Sequence, residues 1–200
     1  MKKIILTSGG LDSSALLLGS KQDPNTLALF FNYGQRCVAQ ERTAVKNICQ
    51  QLNILFEERD ITDTFRSSKS SLIGNTPLEE KKNNEVECRN LVFAMNAVSI
   101  AQQLFPEEQV EIILGLINIG VPYPDCTKSF IEKCNSLANL CTGGKVSVTA
   151  PLIEFGKDKI VTFFKDTDIL PGDTWSCYYG VDKPCGECPA CIDRTILGVL

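Results

Sequence analysis

Ile4-Ile5-Leu6-Thr7-Ser8-Gly9-Gly10-Leu11-Asp12-Ser13-Ser14-Ala15-Leu16-Leu17-Leu18 reads as a strand, a glycine turn and a helix in direct succession. Adjacent glycines let the backbone turn tightly and come close to a ligand. The helix that follows offers free N–H groups and the positive end of its dipole, which together suit a phosphate. Ser8, Ser13 and Ser14 add hydroxyl donors. Asp12 is the odd member, because an acid beside phosphate repels it unless a cation lies between them. The chemistry therefore points to a pyrophosphate site linked through Mg²⁺, a hard ion that seeks oxygen ligands. The plain alternative is an ordinary helix start with Asp12 or Ser13 as its N-cap.

The loop is not a Walker sequence, since no Gly-Lys-Ser/Thr follows at the required spacing, and it is not Gly-x-Gly-x-x-Gly. It resembles the PP-loop, Ser-Gly-Gly-x-Asp-Ser, of the ATP pyrophosphatases. Such enzymes cleave ATP between its α and β phosphates and pass AMP to an acceptor. The resemblance implies an ATP site built from Ser8, Gly9, Gly10, Leu11, Asp12, Ser13 and Ser14, with Asp12 and Ser13 in the chemistry.

Two hundred residues, 44% of them hydrophobic, suit one domain over residues 1–200 with a sizeable core. The net charge is −4 with no basic block, so nucleic acid is not an expected partner. No apolar run approaches membrane-spanning length, and Met1-Lys2-Lys3 precedes only a short apolar stretch rather than a secretory pattern; a cytoplasmic protein is expected. Histidine is absent, which removes every mechanism that needs an imidazole.

Strand and helix patterns alternate. Lys3–Thr7, Thr26–Phe31, Ile54–Phe56, Val110–Leu114 and Val146–Thr149 read as strands. Val38–Leu52, Asn90–Leu104, Phe130–Leu140 and Lys157–Phe164 carry helical spacing. This predicts an α/β fold: a parallel five-stranded sheet with helices on both faces. Phe30 and Phe31 end the second strand and would flank adenine, since ligands sit beyond the carboxyl ends of parallel strands. Thr62–Glu87, rich in Ser, Lys, Asn and Glu, breaks the alternation. It reads as a mobile surface insert that closes over the site or meets a partner subunit, or else as a solvated loop without a role.

Four of the ten cysteines crowd near the end as Cys177-x7-Cys185-x2-Cys188-x2-Cys191. Each Cys-x-x-Cys brings two sulfurs onto one tight turn, which Gly186 permits and Pro184 and Pro189 stiffen. Four thiolates suit a closed, structural Zn²⁺ site with no open position for water. A Cys₄ iron–sulfur cluster is the chemical alternative.

This tail also carries a family resemblance. Thr174-Trp175-Ser176-Cys177-Tyr178, then Cys185-Gly186-x-Cys188-x-x-Cys191 and Arg194, is similar to the end of the 7-cyano-7-deazaguanine synthases. Tyr33-Gly34-Gln35-Arg36 with Glu41, Arg89-Asn90, Tyr123-Pro124-Asp125-Cys126 with Phe130, and Pro151-Leu152 with Lys157 resemble further motifs of that family. Four departures fall on the acceptor side: Cys37 where the family usually has His, Glu87-Cys88 in place of Pro-Gly, Asn118–Pro122 without the usual acid and Ser-Gly, and Thr127 in place of Arg.

The resemblance implies an adenine nucleotide alpha-hydrolase-like fold, a homodimer, and zinc on Cys177, Cys185, Cys188 and Cys191. It implies adenylation of 7-carboxy-7-deazaguanine, then amidation and dehydration with ammonia to the nitrile. Lys157 becomes a phosphate or adenylate contact with a part in catalysis, or else an exposed lysine. Arg36 and Arg89 become carboxylate or phosphate clamps. Tyr33, Gln35, Asn90, Tyr123 and Asp125 would bind the substrate; Asp125 would meet its guanine-like edge, or cap the helix around Phe130. Tyr33 and Trp175 are pocket walls or core aromatics. The departures support an alternative in which a paralogue conjugates the activated acid to another amine, such as a protein N-terminus, as in anti-phage defence. Sulfur insertion into tRNA and a zinc-stabilised binding module without turnover are weaker fits.

Overall fold

The computed structural model describes residues 1–74, 84–119 and 123–199. Five strands, β1 (Lys2–Thr7), β2 (Thr26–Asn32), β3 (Leu55–Asp60), β4 (Val110–Leu114) and β5 (Val146–Thr149), form one sheet in the order β3-β2-β1-β4-β5. Every neighbouring pair is parallel. The chain runs outward from β1 to β3 and then returns to place β4 on the other side of β1. The reversal leaves a crevice beyond the carboxyl ends of β1 and β4, the place where open parallel sheets bind ligands.

The helices are α1 (Leu11–Leu18), α2 (Val38–Leu52), α3 (Arg89–Leu104), α4 (Lys128–Thr142), α5 (Lys157–Thr162) and α6 (Pro189–Ile196). Side chains alternate across each strand, so the sheet builds two cores. On one face Ile4, Leu6, Leu29 and Phe31 meet Ala94, Ala97, Val98 and Ala101 of α3 and Cys134 and Ala138 of α4. Ile5, Ala28 and Phe30 meet Ala15 and Leu17 of α1, Val45, Ile48 and Leu52 of α2 and Ile160 of α5 on the other. Small residues on α3 let that helix lie close to the strands. The predicted parallel five-stranded sheet with helices on both faces is therefore the observed fold.

Three details differ from the sequence reading. β3 runs to Asp60 rather than stopping at Phe56. It is an edge strand, so Glu57, Glu58 and Arg59 can sit on it while Arg42 of α2 grips Glu58 through bonds of 2.6–3.0 Å. The Phe130 helix begins at Lys128, and its cap is Thr127, whose Oγ1 accepts from the Phe130 N–H at 3.2 Å; Asp125 is not the cap. α6 has no periodic signal long enough to announce it.

The insert is also better packed than its polar composition suggests. Phe65, Leu72, Ile73 and Val86 are buried together with Tyr33. Ile73 bridges Gln35, the Arg36 N–H donates to the Leu72 carbonyl at 2.9 Å, and the Gly74 N–H donates to the Gly34 carbonyl at 2.9 Å. The described arms, 62–74 and 84–87, are thus a wall beside the turn after β2, not a free loop. Residues 75–83 lie outside the described residues.

Candidate active site and metal centre

The glycine loop joins β1 to α1 at the crevice. Gly9 has φ +75°, and a Cβ there would lie 2.8 Å from the Glu41 carbonyl oxygen and 3.2 Å from the Ala44 and Val45 side chains of α2. Only glycine lets the loop rest on α2. Gly10, not Asp12 or Ser13, occupies the N-cap of α1, and no side chain caps that end. The Ser13 hydroxyl is instead turned into the loop, where it accepts from the Ser8 N–H at 3.2 Å and donates to the Gly10 carbonyl at 3.3 Å. After β4, Gly115 presses on the same turn: a Cβ there would lie 3.1 Å from the Ser13 nitrogen.

Above the loop lies a cavity of 320 Å³, within the range of small-ligand sites. Ser8, Gly10, Leu11, Asp12, Ser13, Phe30 and Phe31 line it, together with Tyr33, Gln35, Arg89, Asn90 and Lys157. Gly9 and Ser14 are not on its lining; Gly9 rests on α2 behind the loop. Phe30 and Phe31 point to opposite faces of the sheet, each into a different core. Arg36, Tyr123 and Asp125 are also absent from the lining. The Arg36 Nε donates to the Ser71 carbonyl at 2.8 Å, so its guanidinium belongs to the wall. Asn90 reaches back toward the Asp125 carbonyl at 3.4 Å and Cys126 Sγ at 3.6 Å, leaving Asp125 behind it. The departure at Gly120–Pro122 lies outside the described residues.

Asp12 has an oxygen, Oδ1, that is buried and without a hydrogen-bond partner, as is the Ser14 hydroxyl. Burial raises its carboxyl from an ordinary 3.8 to about 6, a rise that the positive charge of Lys157 only partly offsets. A buried, unpartnered carboxylate in a phosphate-type loop fits a divalent cation, which takes one or two carboxylates and completes its shell with phosphate oxygens and water. Lys157, at the first turn of α5, forms an ion pair with Asp193 of α6, and both line the cavity.

The opposite wall is aromatic and polar. Tyr33 packs edge-on against Phe65 and Phe93, at 5.9 and 5.3 Å between ring centres. The Arg89 guanidinium lies 5.6 Å from the Tyr33 ring and 5.9 Å from the Phe93 ring, and its Nη1 donates to the Tyr33 hydroxyl at 3.2 Å. Burial pushes the Tyr33 phenol well up, so it stays a neutral donor and acceptor. Gln35 is buried and committed inward: its Nε2 donates to Glu41 Oε2 at 2.9 Å and to the Phe31 carbonyl at 3.1 Å, and its Oε1 accepts from the Tyr33 N–H. The Cys37 thiol donates to Glu41 Oε1 at 3.3 Å. Burial, reinforced by that neighbouring carboxylate, pushes the thiol far up and keeps it protonated.

Sequence reasoning left out of the site several residues that the fold brings there. Glu41, which the sequence presents only as part of a motif, lines the cavity beside Cys37. Asp193, Ser176 and Phe93 line it as well. Only the Glu41 spacing after Gln35 was a usable signal; Asp193 depends on a helix that the sequence does not announce.

Cys177, Cys185, Cys188 and Cys191 place their sulfurs within 4.8 Å of one another. The Cys185 and Cys191 sulfurs are 3.9 Å apart, and a tetrahedron with ~2.3 Å metal–sulfur bonds has edges of about 3.8 Å. Backbone N–H groups already point at two of the sulfurs: Cys185 donates to Cys177 Sγ at 3.4 Å and Cys188 to Cys185 Sγ at 3.3 Å. Gly186 supplies the left-handed turn between them, at φ +77°. The four cysteines are thus grouped as a closed metal centre requires. The centre is tied to the loop: the Trp175 N–H donates to the Gly9 carbonyl at 2.7 Å. Arg194, buried on α6, donates to Thr174 Oγ1, Ser176 Oγ and the carbonyls of Pro171 and Val199.

Sheet order, glycine loop and unpartnered acid together define an α/β fold of the PP-loop type. A family model described as "Queuosine biosynthesis protein QueC" matches residues 2–196, and the chain belongs to that family. A curated 7-cyano-7-deazaguanine synthase from a Nitratiruptor species is 33% identical over 202 residues, covering 96% of this chain and 90% of the relative. One from Campylobacter jejuni (strain RM1221) is 34% identical over 213 residues, covering 96% and 91%. Among solved structures, the U34-tRNA thiolase NcsA from Methanococcus maripaludis with its [4Fe-4S] cluster is 15% identical with a TM-score of 0.48, over 82% of this chain and 56% of that one. NMN synthetase from Francisella tularensis is 18% identical with a TM-score of 0.38, over 69% and 61%. Among the described residues no helix is long and apolar enough to cross a membrane.

Proposed function

We propose that this chain uses ATP to adenylate 7-carboxy-7-deazaguanine, converts the acyl-adenylate to the amide with ammonia, and dehydrates the amide to 7-cyano-7-deazaguanine in a second ATP-dependent activation. The observation that carries this reading is the unpartnered Asp12 oxygen in the glycine loop, beside Lys157 and inside the cavity that also holds the Tyr33–Arg89 wall. Membership of the family supplies the substrate class.

The substrate carboxylate attacks the α-phosphorus of ATP; a P–O bond forms and the bond to pyrophosphate breaks. Ser8, Ser13 and the first N–H groups of α1 are suited to hold the departing phosphates through preformed donors. Lys157 is suited to balance the charge that develops there. Mg²⁺, held by Asp12 together with the phosphates, would neutralise the pyrophosphate as it leaves. Arg89, held by Tyr33, would orient the acid, and the rings of Tyr33 and Phe93 would cover its flat bicycle. Zn²⁺ on the four cysteines would be structural, fixing α6 and the Trp175 strap.

One observation favours a second reading. Cys37 stands on the cavity wall and bonds Glu41, at a position where the family motif usually has His. An altered acceptor wall suits a paralogue that hands the activated acid to another amine, such as a protein N-terminus. Mass spectrometry of the products from ATP and the deazaguanine acid, with and without ammonia, tests both. Nitrile formed with ammonia supports the first; AMP release with the acid but no nitrile supports the second. Failure to release AMP and pyrophosphate under any of these conditions would sink both.

A further inference from the structure

Three carboxylates line the cavity: Asp12, Asp193 and Glu41. Asp12 belongs to the glycine loop, and Asp193 is engaged by Lys157. Glu41 is different. Its two oxygens accept only from neutral donors, the Gln35 amide and the Cys37 thiol, and among the described residues no ion pair engages it. Its position is fixed from two sides. The Glu41 backbone abuts Gly9, so that even a Cβ on that glycine would not fit. Gln35 binds both the Glu41 carboxylate and the Tyr33 N–H, which ties the group to the aromatic wall. The carboxylate therefore stands where the glycine loop meets the Tyr33–Arg89 wall.

Resting on the proposed adenylation, we infer that Glu41 is the proton acceptor of the amine-transfer step. Neutral ammonia attacks the carbonyl carbon of the acyl-adenylate. A C–N bond forms, the C–O bond to the adenylate breaks, and its electron pair leaves on the AMP phosphate. The nitrogen, positively charged after attack, gives one proton to the Glu41 carboxylate, which later releases it to water. Gln35 and Cys37 are positioning residues that hold the two oxygens without neutralising them.

The protonation behaviour agrees with this role. Burial raises the Glu41 carboxyl from an ordinary 4.5 to about 7, while donation from Gln35 and Cys37 and the charge of Arg89 pull the other way. The groups facing it are Tyr33, Gln35 and Cys37 from the turn after β2 and Arg89 from α3. A base works best when it titrates near the operating pH.

The test separates the two halves of the reaction. Glu41→Gln keeps the shape and accepts from one donor fewer. It should retain pyrophosphate exchange into ATP in the presence of the deazaguanine acid. Amide formation from ammonia should fall by about a hundredfold or more. Equal loss of exchange and amide formation would overturn the inference, and so would unchanged amide formation. Should the variant fail to fold, the wild-type profile decides. With free ammonia held constant, amide formation should rise through pH 7 relative to exchange; a constant ratio would overturn the inference. Absence of exchange in the wild-type protein is a separate result: it removes the adenylation reading itself, and Glu41 falls with it.

Discussion

Lys157 and Asp193 form an ion pair across the cavity, joining the first turn of α5 to the helix that the cysteine cluster begins. Asp193 is about half exposed and Lys157 somewhat less, so the pair adds at most about 1 kcal/mol to stability. Its value lies in holding an ammonium beside Asp12. Lys157→Ala is expected to leave the melting temperature almost unchanged. Pyrophosphate exchange should fall by about 10²–10³, the usual loss when one preformed charge-stabilising donor is removed. Measuring both on the same preparation checks the prediction; a variant with normal exchange would place Lys157 outside the chemistry.

Asp12 illustrates a conflict between stability and function. Below pH 3.8 the carboxyl is protonated in both the folded and the unfolded chain and contributes no difference. Between 3.8 and about 6 the unfolded chain releases a proton that the folded chain keeps. Stability therefore falls as pH rises through that window, and above it the penalty is constant at about 3 kcal/mol. Asp12→Asn should remove the penalty: denaturant unfolding at pH 7 should show a gain of that order, shrinking toward zero near pH 4. Pyrophosphate exchange should be lost at every pH. A variant no more stable than wild type at pH 7 would contradict the burial argument.

What could be read from the chain alone follows from how local each signal is. The loop Ser8–Ser14 and the cysteines 177–191 are short patterns legible from spacing alone; most of the loop lines the cavity, and the four sulfurs lie within 4.8 Å of one another. The strands were legible because buried parallel strands are nearly continuous apolar runs, as Thr26–Phe31 is. The aromatic and polar wall of the cavity was not, because it is assembled from distant pieces. Glu41 comes from α2, Arg89 and Phe93 from α3, and Leu72 from the insert. In the insert, four apolar residues that pack around Tyr33 are diluted by Ser, Lys and Asn, so its composition resembles a solvated loop. The close approach of Gly115 to Ser13 leaves no trace in sequence beyond one glycine after a strand.

Gly9 is where the loop depends most on the absence of a side chain. Its backbone is left-handed, and a Cβ would collide at 2.8 Å with a backbone oxygen of α2, which has no flexible end to swing away. Gly9→Ala should destabilise by more than about 1 kcal/mol through strain alone, with a further cost as α2 and the loop separate. Because the collision displaces the loop that carries Ser8, Asp12 and Ser13, ATP cleavage should fall along with stability. Gly143→Ala is the control: it is also left-handed, at φ +61°, but no atom lies within 4 Å of its Cβ. It should show the strain without the loss of activity. Thermal unfolding and exchange rates on the two variants separate the contributions.

Metal removal should act on the ATP site through the Trp175 strap. The four sulfurs lie close together, and leaving them without an ion unties the turn that starts α6. Structural metal sites contribute folding energy directly, so a chelator, or Cys191→Ser, should release one Zn²⁺ per chain and loosen residues 174–199. Arg194 then loses its fixed place among Thr174, Ser176 and Pro171, and the Trp175 N–H loses its hold on the Gly9 carbonyl. Hydrogen exchange should show protection falling first at Trp175 and along α6, while the strands β1, β2 and β4 stay protected. Pyrophosphate exchange should decline in parallel with the Trp175 amide and return when Zn²⁺ is restored. Full activity in a chain stripped of metal would show that the strap is not what connects the cysteine cluster to the glycine loop.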